Sequence, residues 1–344
     1  MAIPLEERVK TLEALVKTLS SQRATPAPGI QGVSHLKLPK TVTLCGEKVP
    51  LEDPEVRQRI EFEFLLMLQD RAQVTIWQRR ANGIFPRFET RLKGMKACED
   101  LKYLALIESG LRPRALSTAK AKGYWQFIPS TGKVYDLKAT SNWDERSDLT
   151  KSTDAAITFL GELHERFGSW PLAMAAYNTG PSRLSNSIAA QHVNNYWRLR
   201  LYREAERYVP RVIAAKIIMS DVERWGFSSR ATPGWSTGDV DYVRVRLKKN
   251  ETLSLEGVAN GGGFDYRALT RLNPELSGGK LSGPVTVSFE VPKGKAVVFR
   301  AWVKKSIKKV TRRQSLRRVA KKKRTKRRKS KSKRRGYYTV SRGD

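Results

Sequence analysis

A mainly α fold with a small α+β appendage is predicted for this chain of 344 residues by three features. From about residue 53 to 230 apolar residues recur at helical spacing, as in Leu101, Leu104, Ala105 and Ile107, and strand-like runs there are too short to build a sheet. After Trp225-Gly226-Phe227 the pattern changes: Val243 to Leu247 and Val285 to Phe289 alternate like strands. From Lys304 charge takes over, with twenty Lys and Arg and no acid up to Arg335, out of a net +33. Such a stretch buries too little apolar area to offset chain entropy and is expected to be disordered.

Along the chain, Leu5, Val9, Leu12, Leu15, Val16 and Leu19 share one face of an amphipathic helix, and Thr25-Pro26-Ala27-Pro28-Gly29 marks a linker, so residues 1–40 form a lead-in. The run from Leu101 ends at Glu108-Ser109-Gly110, ahead of Gly123-Tyr124-Trp125-Gln126-Phe127-Ile128-Pro129. His164 lies on a helix from Ala155 to Phe167 and reads as structural. Leu172 to Ala176 form an apolar helix that stops at Tyr177-Asn178, with Gly180-Pro181 as terminators. Glu204 precedes Tyr208-Val209-Pro210 and the apolar helix Val212 to Met219.

The chemistry centres on Glu108. A carboxyl among apolar side chains has its charged form disfavoured, so its pKa rises and it can remain protonated near neutral pH as a general acid. A glutamate near a helix end can equally be a solvated surface acid. The sequence offers no obvious second carboxylate as its partner, Asp136 being the next acid downstream. Cys45 and Cys98 lack Cys-x-x-Cys spacing and read first as buried or unpaired small residues, with a disulfide or a functional thiol as the alternatives. With only His35, His164 and His192 in the chain, no metal-ligand cluster and no cofactor are expected. There is no apolar stretch of transmembrane length and no apolar signal region.

Four ordered motifs, Glu108-Ser109, Gly123-x-x-Gln126-Phe127-Ile128-Pro129-Ser130-Thr131-Gly132, Ala176-Tyr177-Asn178-x-Gly180 and Glu204-x-x-x-Tyr208-Val209-Pro210, together resemble the lysozyme-like domain of lytic transglycosylases of the membrane-bound D type. Cys45 to Leu51, Glu99 to Leu104, Trp143 to Arg146 and Ser152 to Ala156 fit the same family, so the resemblance covers residues 41–230. Tyr124-Trp125 departs from a frequent Leu-Met, and Pro181-Ser182-Arg183 from a Gly-rich stretch. The resemblance implies a peptidoglycan-cleaving enzyme in which Glu108 is the single acid and base. The C6 hydroxyl of N-acetylmuramic acid then attacks its own C1 to leave a 1,6-anhydro end.

It further implies that Ser109, and more weakly Ser117, touch substrate near the cleaved bond, and that Gly123, Gln126 and Ile128 line the cleft. Tyr177 and Asn178 would hold the sugar, and Glu204 with Tyr208 would complete the far wall. Each has a plainer alternative: Tyr177 as a core aromatic, Glu204 as a solvated helix acid, Ile128 as packing. Residues 238–300, with Leu255, Val258, Ala259, Leu269 and Asn273-Pro274, resemble a degenerate LysM-like βααβ module, or else a helical appendage without sugar affinity. Residues 301–336 are the basic tail, and 337–344 resemble the start of an incomplete LysM-like repeat.

The expected partners are peptidoglycan glycan strands and, through the tail, anionic surfaces such as wall polymer, lipid headgroups or nucleic acid. A monomer is expected. The implied location is the bacterial periplasm or cell envelope, so the chain is expected to be a form lacking its export signal. Rival readings are a hydrolytic lysozyme acting on the same bond and a non-catalytic wall-binding protein. Specific nucleic-acid recognition is disfavoured because the tail lacks interleaved aromatics.

Overall fold

A computed structural model describes residues 36–228 and 240–309. The amphipathic segment at 5–19, most of the linker, the tail beyond Lys309 and the terminal 337–344 segment lie outside the described residues. A two-residue hairpin, β1 (Thr43–Leu44) and β2 (Glu47–Lys48), leads into helices α1 (Pro54–Gln69), α2 (Arg71–Gly94), α3 (Leu101–Ser109) and α4 (Pro129–Val134). Helices α5 (Leu149–Phe167), α6 (Trp170–Thr179), α7 (Pro181–Gln191) and α8 (Arg203–Ser220) follow. The mainly α expectation holds, and the helix expected from Ala155 begins earlier, at Leu149.

Local chemistry sets these boundaries. Asp53 caps α1 by accepting from the Glu55 amide, with Pro54 at the first helical position. Asp148 caps α5 at Lys151, and Ser169 caps α6 at Leu172. Helix α1 buries Val56, Ile60, Phe64 and Leu68, one residue per turn, against the long helix α8. Helix α6 is buried along Pro171 to Ala176, as its uninterrupted apolar sequence requires. The core built on these helices runs from the hairpin through Leu101, Leu104 and Leu106 to Val212, Ile213 and Trp225.

Cys45 and Cys98 form a disulfide, which corrects the first reading of both as buried or unpaired residues. They are 53 residues apart, and only the packing of the hairpin against the segment before α3 brings them together. Asp100 completes this anchor: its carboxylate accepts from the Cys45 amide at 2.7 Å and from Lys216 Nζ on α8 at 2.7 Å. The start of α3 is thus fixed to hairpin and α8 alike. Among the described residues Cys45, Cys98 and Asp100 are the one group of potential metal ligands, and its two sulfurs are bonded to each other. Reducing the bond, or replacing both cysteines by Ser, is expected to lower stability by about 2–4 kcal/mol, because a long loop is released in the unfolded chain. Urea unfolding with and without reductant measures this, and coincident midpoints would contradict it.

The second unit is larger than the expected βααβ. It runs β3 (Val240–Leu247), β4 (Glu251–Ser254), α9 (Leu255–Gly261), α10 (Tyr266–Leu272), β5 (Lys280–Ser282), β6 (Val285–Pro292), α11 (Ala296–Ser306) and β7 (Ile307–Lys309). Strands β3 and β6 pair antiparallel with Val245 opposite Val287, and β4 lies between β5 and β7. Alternate residues Val243, Val245, Leu247, Val287, Phe289 and Val291 point into one core. Phe299 and Val303 are buried in it, so residues 301–309, expected to belong to a disordered tail, are instead helix and strand. Their apolar face decides this, against the surrounding charge. The Gly-rich stretch has a packing role: a Cβ on Gly261 would lie 2.2 Å from the Trp302 ring.

The two units are joined by more than the chain. Trp143, from the loop after α4, is buried in the core of the second unit. Arg114 donates to the carbonyls of Thr270, Pro274 and Leu276 at 2.9–3.1 Å, and Arg87 pairs with Glu290. The Asp144 amide donates to the Glu275 carbonyl at 2.9 Å.

Candidate active site

Helix α3 carries the acid to its place. Leu101, Leu104, Ala105 and Leu106 are buried, and the helix stops at Gly110 in the left-handed conformation that glycine adopts cheaply, leaving Glu108 in the last turn. Glu108 is half-buried, and burial pushes its carboxyl up to about 7. A hydrogen bond from the Tyr208 hydroxyl to Oε1 at 2.5 Å opposes that rise, and the charge of Glu204 adds to it. The two forms of Glu108 are therefore closely balanced at neutral pH.

Tyr208 is positioned by α8. Pro210 stands inside this helix and has no N–H, so the carbonyl of residue 206 is left without its helical donor. It is satisfied from outside, by Arg59 Nη2 at 2.8 Å and by the Tyr196 hydroxyl at 2.9 Å. Tyr177, at the end of α6, donates to the Trp125 carbonyl at 2.7 Å, and its ring meets Phe159 and Phe127 at centroid distances of 5.2 and 6.2 Å. Burial raises the hydroxyls of Tyr177 and Tyr208 well above the ordinary tyrosine range, with the charge of Glu108 adding to both. Both remain neutral donors.

The remaining candidates divide. Asn178 accepts from the Tyr202 hydroxyl at 3.3 Å, next to Tyr177. Glu204 is exposed and pairs with Arg211 at 2.5 Å, so it is a solvated acid whose charge nonetheless reaches Glu108. Gln126 works on the loop: its amide nitrogen donates to the carbonyls of Ala115 and Gly123 at 3.2 and 2.9 Å. Gly123 has φ +87, and a Cβ there would stand 1.7 Å from the Arg146 carbonyl oxygen. Ile128 is exposed at the start of α4. Ser117 accepts from the Ala121 amide within a turn. Ser109, expected beside the scissile bond, is 2% exposed and donates to the Ala105 carbonyl, so its hydroxyl is turned into the helix. Glu108, Tyr177, Tyr208 and Glu204 come together; Ser109 and Ser117 hold local structure.

Arg146 has a part that sequence reading does not assign. Nearly buried, it forks onto Asp144 at 2.8–3.0 Å and donates to the carbonyls of Lys120 and Phe127, bracing the loop that holds Gly123 and Gln126. The charged group Asp144-Glu145-Arg146 was its only signal. Tyr124-Trp125, the departure from the commoner pair, packs on Phe88, with Trp125 Nε1 donating to Thr153 at 3.0 Å.

A half-buried carboxyl balanced near neutrality at the end of a buried helix, bonded to a neutral tyrosine hydroxyl, has the chemistry to give and take a proton. Residues 88–199 match the family model described as the transglycosylase SLT domain. Over 201 residues it is 34% identical to the membrane-bound lytic murein transglycosylase D of Escherichia coli, covering 56% of this chain and 43% of that protein. It is also 29% identical over 119 residues to a putative soluble lytic murein transglycosylase of Haemophilus influenzae, covering 32% and 20%. The crystal structure of the 70 kDa soluble lytic transglycosylase of Escherichia coli aligns over 42% of this chain and 25% of that one, at 20% identity and a TM-score of 0.32. The chain spans under half the length of these curated relatives.

Proposed function

We propose that this protein is a peptidoglycan lytic transglycosylase, a carbon-oxygen lyase cleaving the β-1,4 bond between N-acetylmuramic acid and N-acetylglucosamine. The observation that carries the reading is Glu108, whose carboxyl is pushed up to about 7 and bonded to Tyr208. Protonated, it gives its proton to the leaving glucosaminyl oxygen as the bond from C1 breaks. The C6 hydroxyl of the muramic acid then forms the new bond to C1, and its proton returns to the carboxylate. No water is consumed. The other carboxylate that influences Glu108 is exposed and paired with Arg211, a poor nucleophile for a covalent intermediate. Tyr208 steadies the charged form, while Tyr177 and Asn178 hold the sugar.

Digestion of purified peptidoglycan is expected to release fragments with 1,6-anhydromuramic ends, seen by mass spectrometry as one water lighter than reducing ends. Reducing ends would move the assignment to a hydrolytic lysozyme, and an absence of cleavage to a wall-binding protein. A periplasmic or envelope location fits the Cys45–Cys98 disulfide, which persists in oxidising compartments. Among the described residues no helix is long and apolar enough to cross a membrane. The basic stretch beyond Lys309 would add attraction to anionic wall polymer, lipid or nucleic acid, screened over about 8 Å at physiological ionic strength. The LysM-like unit would add contacts to the glycan.

A further inference from the structure

Apart from the Glu108 site, a groove of about 750 Å³ opens between α1, the 197–200 segment and the first turns of α8. Its lining is cationic, with Arg59, Arg198, Arg200, Arg203 and Arg207. Three of these are engaged. Arg207 is held by Glu63. Arg59 donates to the Glu206 carbonyl and lies 5.4–5.7 Å from the Tyr196 and Trp197 rings. Arg198 pairs with Asp53 at 3.4 Å. The guanidinium groups of Arg200 and Arg203 are exposed and have no protein partner among the described residues. Of the groove's three acids, Glu63 is neutralised by Arg207 and Arg211, Glu206 accepts from the Leu201 amide at 3.0 Å, and Glu55 is exposed to solvent, against five arginines in the lining. Phe62, half exposed, supplies an apolar wall beside Trp197.

Helix α8 links this groove to the acid. Residues 203, 207 and 210 line the groove, whereas Glu204 and Tyr208 act on Glu108. Each residue turns the helix by about 100°, so the two sets occupy adjacent faces, with Arg203 about 8 Å along the axis from Tyr208. A chain of three extended residues spans about 10 Å. A branch leaving a sugar at Glu108 and passing around α8 toward Arg203 has at least this axial distance to cover, which lies within the length of three extended residues.

We infer that this groove binds the carboxylate-bearing peptide branch of the glycan, with Arg200 and Arg203 as carboxylate-binding residues and Phe62 and Trp197 against its aliphatic parts. This rests on the peptidoglycan reading and narrows it to strands that still carry peptides. Planar guanidinium forks match carboxylates in geometry as well as charge. Substrate selection then happens on one face of α8 while bond cleavage happens on the next.

The test is the double variant Arg200→Gln, Arg203→Gln in the whole protein, assayed on peptide-bearing glycan and on the same strands stripped of peptides by an amidase. On peptide-bearing strands kcat/KM is expected to fall about tenfold, while on stripped strands it stays within about twofold of the parent. Equal losses on both substrates, or none on either, overturn the inference. A second arm measures binding of a fluorescent lactoyl tripeptide with free carboxylates, expected to weaken about tenfold in the variant. Unchanged binding, or displacement by inorganic phosphate as effective as by unlabelled peptide, overturns the peptide assignment. If the parent cleaves neither substrate, the transglycosylase reading fails while the binding arm still decides the groove.

Discussion

Replacing Glu108 by Gln is expected to lower peptidoglycan cleavage by about a hundredfold or more, because Gln keeps the shape but can neither give nor regain a proton. In the parent the donating form prevails below the carboxyl's pKa of about 7, so the rate should decline as pH rises through that value. Stability should move the opposite way to activity. The folded pKa lies above the ordinary value of 4.5, so between the two the folded state binds more protons than the unfolded state, and the parent loses stability as pH rises across that window. Gln removes the burden of a half-buried charge. The variant should therefore exceed the parent by about 1–3 kcal/mol at pH 8, with no difference below about pH 4. Turnover within tenfold of the parent, or a variant less stable at pH 8, would sink the assignment.

The second large effect is expected at Gly123→Ala. A methyl group there would stand 1.7 Å from the Arg146 carbonyl oxygen, in a backbone with φ +87 that L side chains avoid. Arg146 cannot yield easily, because its guanidinium is fixed by Asp144 and by the carbonyls of Lys120 and Phe127. The loop from Ala115 to Phe127 must then move as a whole, and a loss above about 3 kcal/mol is expected, together with loss of activity. Gly168 supplies the control. Its φ is +75 but nothing lies within 4 Å of its missing Cβ, so Gly168→Ala should cost only about 1 kcal/mol. Equal urea midpoints for the two variants would remove the steric argument.

These expectations also mark where sequence sufficed. The helix ending at Glu108, the helix ending at Tyr177-Asn178 and the Glu204 to Tyr208 block carry local signals of periodicity, glycine stops and proline, and the structure brings their polar ends together. Strands β3 and β6 were legible from alternation, but not that they pair with each other, since register is decided by the shared core. The disulfide was not legible, because spacing says nothing of a contact made by a hairpin packing on a distant helix. Nor was Arg146: its importance lies in reaching the carbonyls of Lys120 and Phe127, distant in sequence, which no local pattern encodes. Composition misplaced the end of the second unit, because the lysines of α11 and β7 mask the buried face of Phe299 and Val303.

Trp143 gives the molecule a mechanical character. An indole from one unit completes the core of the other, flanked by the three carbonyl contacts of Arg114 and the pairing of Arg87 with Glu290, so the two units are braced at several points. The second unit is thereby a ruler and not a leash. Anything bound to that unit would be presented at one set separation from Glu108, a distance written into the junction itself.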